Sequence, residues 1–217
     1  MLFDLRGRGR RRTIQVIYLG LAILLGGGLV LFGVGAGNGT GGLLNALNPN
    51  GGSSAAKAYV SQQTKTAEKL TQTEPNNAQA WASLTQDRYD DASQNFNGST
   101  YTAAGKLDLV AAGQAWQHYL KLEKHPSSTL ARLMAEAYGD LGEYTSETQA
   151  WELVAEANPK VAVYQEYVAV AAYQAKDTDL GTLATAKALS LTPKSQRAAI
   201  KAELKQAETQ ATTTTTT

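Results

Sequence analysis

The sequence predicts an all-α protein: a single transmembrane helix near the N-terminus, followed by an array of α-helical hairpins stacked as an α-solenoid. Three observations lead there. Residues 13–56 contain no Asp, Glu, Lys, Arg or His. Beyond Ser54 the chain is rich in Ala, Leu, Gln, Glu and Lys, all good helix formers. The prolines of that body, Pro75, Pro126, Pro159 and Pro193, recur near multiples or half-multiples of about 34 residues, a period that belongs to repeat architectures.

The first element is residues 1–12, where five arginines face a single acid, Asp4. The second is the span, residues 13–36. Ile14 to Val34 is apolar or Gly except for Gln15 and Tyr18. At 1.5 Å per residue this stretch covers roughly 32 Å, against about 30 Å for the hydrocarbon core of a bilayer. A water-soluble helix of that length needs a polar face, and this one has none. Tyr18 lies toward the arginine end, where an interfacial aromatic belongs. The next positive charge is Lys57. Arginine stays on the cytoplasmic side, so residues 1–12 are expected in the cytoplasm and the C-terminal body outside it.

The arginines and the span also fit two other uses. Arg-Gly-Arg arms also occur on nucleic-acid binders, but no aromatic residues interleave here and the span ties the arm to anionic lipid. No nucleic-acid partner is therefore expected. Val34-Gly35-Ala36 resembles a signal-peptidase site, yet the apolar run exceeds the ~7–15 residues usual for a signal peptide. A retained anchor is preferred, with a secreted soluble binder released after Ala36 as the alternative. Gly26, Gly27 and Gly28, with Gly33 and Gly37, would let another membrane helix approach closely.

The third element, residues 37–54, is rich in Gly, Asn and Ser and reads as a flexible linker. Gly37 to Gly42 formally matches G-x-G-x-x-G. Dinucleotide binding needs a strand before that motif and a helix after it, so no cofactor is expected from it. The absence of cysteine excludes disulfides, thiolate metal sites and a cysteine nucleophile.

The fourth element, residues 55–208, holds the hairpins. The clearest unit runs from Ser128 to Val161: "TLARLMAEAY", a short turn "GDLGEY", then "TSETQAWELVAEANP". Met134, Ala135, Tyr138, Trp151 and Pro159 alternate large wedge and small spacer along it. A second unit, Ala162 to Ser195, places Val168, Ala169, Ala172, Gly181, Ala188 and Pro193 in the same register. An earlier unit starts at Ala78 with "AQAWASL", is interrupted by "NFNGST", and has a long second helix reaching toward His125. Before it, "SAAKAYVSQQTKTAEKLTQTEP" reads as a lone second helix. After Pro193, "KSQRAAIKAELKQAE" reads as a polar capping helix. Residues 209–217, ending in six threonines, have nothing apolar to bury and are expected to be disordered.

In spacing and in these residues the body resembles the tetratricopeptide-repeat family, in its membrane-anchored bacterial form. Ala131 and Glu147 depart from that pattern, as do Thr85 and Arg88 in the first unit. The resemblance implies a shared core of Trp81, Leu84, Trp116, Tyr119, Leu122, Met134, Tyr138, Trp151, Val154 and Val168. It also implies that protein or peptide partners lie along an inner groove formed by the first helix of each hairpin. Carried over residue by residue, that groove presents Gln86, Tyr89, Asp90, Arg132, Glu136, Asp140, Glu166, Tyr173 and Gln174. The surface is slightly acidic with aromatic footholds. The family's basic clamp for acidic tails is not expected, since only Arg132 fits it.

Catalysis and metal binding find no motif. His118 and His125, both placed in the long second helix, are two turns apart and too distant to chelate one ion together. Asp87, Asp90 and Asp91 cluster, but an exposed charged face explains them. The expectation is a non-catalytic, single-pass inner-membrane protein with an extracytoplasmic scaffold or assembly role. The alternatives are the secreted binder and an accessory subunit of an envelope enzyme or secretion channel.

Overall fold

The computed structural model describes residues 52–213. The arginine-rich tip, the span at 13–36 and nearly all of the linker lie outside the described residues. Among the described residues no helix is long and apolar enough to cross a membrane. The chain divides at Ala56, and all but five of the described residues belong to the second unit, which begins at Lys57.

The described residues form eight α-helices and no strands beyond an isolated bridge. They are α1 Gly52–Thr73, α2 Ala78–Ser93, α3 Ala103–Leu122, α4 Ser128–Leu141, α5 Tyr144–Ala157, α6 Ala162–Gln174, α7 Thr178–Leu191 and α8 Arg197–Thr213. All-α architecture is thus as expected. The helix α1 begins inside the expected linker, and α8 continues past the expected end at Glu208.

Local chemistry starts the helices. Each of Pro75, Pro126, Pro159 and Pro193 lies in a connection just ahead of a helix, where a missing N–H costs least. Side-chain oxygens of Asn77, Thr102, Ser127 and Asp177 accept from backbone N–H groups of the first turns of α2, α3, α4 and α7. Such a cap contributes roughly 1 kcal/mol. Gly142 ends α4 with φ +74, the left-handed conformation that glycine adopts without a steric penalty.

Consecutive helices α2 and α3, α4 and α5, and α6 and α7 pair as antiparallel hairpins, and α8 lies against both α6 and α7. One apolar core runs through α2 to α8, from Ala92 through Leu109, Trp116, Met134, Val154 and Val168 to Leu204. Much of it is alanine, which lets helices approach closely, with the larger side chains wedged between. A smaller cluster of Ala67, Leu84 and Ala115, covered by Trp81, seats the lone helix α1 on the first hairpin.

Nine of the ten expected core residues are buried or packed against the core. Leu122 is the correction: it is 37% exposed. The helix α3 stops at that residue, so Leu122 has no following turn to tuck beneath. For the same reason His125 is not helical; its backbone N–H donates to the carboxylate of Glu123.

Candidate functional site

The nine groove positions fall on α2, α4 and α6, three to a helix. On α2, Gln86 donates to the Asp90 carboxylate at 3.1 Å. On α4, Arg132 and Glu136 form an ion pair of 2.9 Å, one turn apart, and Asp140 stays exposed. Tyr89 of α2 lies within reach of the charges on α4. It is half-buried against the core, makes a side-chain hydrogen bond with Tyr101, and feels the carboxylates of Glu136 and Asp140. Its phenol is pushed well above its usual pKa, first by burial, then by the Tyr101 hydrogen bond, then by those charges. Tyr89 is therefore a neutral hydrogen-bonding group at physiological pH.

The third helix departs from the expectation. Tyr173 is only 4% exposed and is not a groove residue. Its ring lies on α7 where Gly181 has no side chain; a Cβ there would sit 2.5 Å from the ring. Its hydroxyl is 3.2 Å from that of Thr185. Glycine at 181 opens the space, and the tyrosine fills it. Glu166 is half-buried and senses Glu203 of α8, so it faces the last helix of the chain; burial first and Glu203 second raise its pKa. Gln174 is exposed. The structure thus brings Gln86, Tyr89, Asp90, Arg132, Glu136 and Asp140 onto neighbouring α2 and α4, but assigns Tyr173 to the core.

The other groups singled out by sequence have structural roles. His118 stacks on Trp81 with ring centroids 4.2 Å apart. Arg88 pairs with Glu68 of α1 and with Asp108 of α3, tying three helices together. Asp91 accepts from the Thr64 hydroxyl at 2.6 Å. Asp87 stands among these acids with its pKa pushed up to about 6 by burial, then by Asp90 and Asp91. Among the described residues no group of His, Cys, Asp and Glu could hold a metal ion.

Glu147 is one of the departures from the repeat pattern expected from the sequence. One carboxylate oxygen accepts from the Trp151 indole at 3.3 Å, and the other is buried without a partner. Burial raises its pKa. Its only sequence signal is that departure from the pattern.

No protein-family model matches this chain. No curated protein is significantly similar to it. The case for its function rests on its own residues.

Proposed function

We propose that the chain is a membrane-anchored, non-catalytic interaction scaffold that holds a peptide segment of a partner protein along α2 and α4. The hairpins are of the tetratricopeptide-like kind, and the partner works at the extracytoplasmic face of the membrane. The observation that carries this reading is the pairing of a half-buried, neutral Tyr89 with the exposed charges of Arg132, Glu136 and Asp140 on the adjacent helix. An amphipathic ring fixed at its base and rimmed by charge is the kind of foothold that peptide grooves use. Asp90, Glu136 and Asp140 outweigh Arg132, so the favoured segment is basic overall.

The anchor supports the location. A charge-free run of bilayer length behind a block of arginine tethers the scaffold with its arginines in the cytoplasm.

The test uses photo-crosslinking amino acids at Gln86 and Asp140, both exposed, in intact membranes. One protein band common to both positions, lost on Tyr89→Ala, is the expected result. Capture of unrelated neighbours at each position would remove the groove. Location is read separately from Gln149→Cys, an exposed site in a chain with no native thiol. Labelling by a membrane-impermeant maleimide in unbroken spheroplasts is expected; labelling only after lysis overturns the topology.

A further inference from the structure

A second concavity lies among α5, α6 and α7 and shares no residue with the nine groove positions. Its volume is about 120 Å³. Drug-sized ligands and cofactors take roughly 300–1,000 Å³, and one water about 30 Å³. The cleft therefore has room for one side chain.

Its lining is divided by chemistry. Val168 of α6 forms an apolar floor, and Leu180 and Leu183 of α7 form an apolar rim. Leu183 is 67% exposed, unusually open for a leucine beside a cavity. Glu152 and Glu156, one turn apart on α5, supply two carboxylates, and Lys187 of α7 supplies one ammonium. None of these three makes an ion pair with a described residue. Burial holds the Glu152 carboxyl above its usual pKa, followed by the charges of Glu156 and Asp177. The negative charge on this wall is thus uncompensated.

Gln165 adds an uncommitted amide to the two carboxylates. It is 6% exposed, it lines the cleft from α6, and its amide makes no hydrogen bond to any described residue. Among the described residues the one fully buried side-chain atom without a hydrogen-bond partner is Glu147 Oε2, so the Gln165 amide keeps some access to solvent and is available to a ligand. Here the unused hydrogen-bonding capacity faces a hole that a ligand can enter.

We propose that this cleft receives one arginine side chain of a protein partner, with its guanidinium between Glu152, Glu156 and the Gln165 amide. The methylenes lie over Leu180 and Leu183, as long cationic side chains cover apolar surface while their charge is met at the tip. Arginine fits better than lysine because a planar fork of five donors can serve two carboxylates and an amide oxygen at once. Two carboxylates outnumber the Lys187 ammonium, which lies on the opposite wall and weakens the site rather than defining it. The cleft does not depend on the α2–α4 groove.

The test titrates the capped peptide acetyl-Ala-Arg-Ala-amide into the full chain in neutral detergent. Binding is followed by NMR at the Gln165 side-chain amide and the Leu183 methyls. A saturable millimolar response is expected, roughly tenfold weaker in the Glu152→Gln/Glu156→Gln protein and several-fold tighter in Lys187→Ala. Leu183→Ser, at an exposed position that the fold does not need, is expected to weaken binding several-fold. Three results overturn the proposal: equal affinity for the norleucine peptide, unchanged affinity in the carboxamide protein, or no response at Gln165.

Discussion

Thr85 in α2 and Ala135 in α4 occupy the same register position in successive hairpins, and both are fully buried. Ala135 leaves room for its neighbours; Thr85 brings a hydroxyl that must be satisfied, and it donates back to the Trp81 carbonyl. Three residues further on the contrast widens. Tyr138 of α4 is buried, its ring close against the bare backbone of Gly113 on α3. Arg88 of α2 instead stays partly exposed and reaches Glu68 and Asp108. The turns differ too: Gly142 and Glu143 join α4 to α5, whereas residues 94–102 join α2 to α3. At these positions the second hairpin is closed by packing, whereas the first adds ion pairs to its apolar core. The same plan thus tolerates either fastening, with different sensitivity to solvent conditions.

The largest break in that comparison is Met134→Ala in the second hairpin. It removes a fully buried side chain and is expected to cost about 2–5 kcal/mol, read from the urea midpoint. A loss below about 1 kcal/mol would mean that the site collapses and that packing does not hold this hairpin.

Next comes Gly142→Ala, which forces a Cβ into the left-handed region and is expected to cost about 1–2 kcal/mol. Hydrogen exchange should speed up first at the end of α4.

Arg88→Met tests the other side. Two partly exposed ion pairs disappear while the methylene stem is retained, for a loss of about 1 kcal/mol that shrinks as salt is raised. Faster exchange in α1 to α3 but not in α4 and α5 sharpens the comparison; uniform acceleration through the array breaks it.

The smallest effect is Asp87→Asn. The folded pKa of about 6 lies above the ordinary 3.8, so folding favours the neutral carboxyl. Its contribution is fully present below pH 4 and is lost as pH rises through about 6. The substitution should therefore leave stability unchanged at low pH and raise it at pH 8. After solvent screening of this half-exposed group the gain is below about 1 kcal/mol. Melting temperatures of both proteins across that range give the answer.

Much of this was legible in the sequence because it is local. Proline spacing marked the connections, and the repeat resemblance implied that Met134, Tyr138, Trp151 and Val168 are core residues, which they are. What could not be read depended on distant partners. Tyr173 looked like a surface aromatic because its burial is created by the missing side chain of Gly181, on another helix. Leu122 fitted the periodicity, but the helix ended there. Of the expected groove positions, those on α2 and α4 lie on neighbouring helices, while Glu166 on α6 senses Glu203 of α8. Gln165 had a signal that is clear only afterwards. It stands at the register position held by Trp81 and Ala131 in the earlier units, and an amide there replaces a wedge or a spacer.

Between α2 and α3 the chain turns at Asn97, whose side-chain carbonyl accepts from the N–H groups of Ser99 and Thr100, above the paired Phe96 and Tyr101. A Cβ added at Gly98, at the tip, would meet nothing within 4 Å. That makes the tip a mounting point: an epitope or a small fluorescent domain spliced between Gly98 and Ser99 should leave the helices and their melting temperature unchanged. A reporter there would give the scaffold an optical address through which a partner's arrival can be timed.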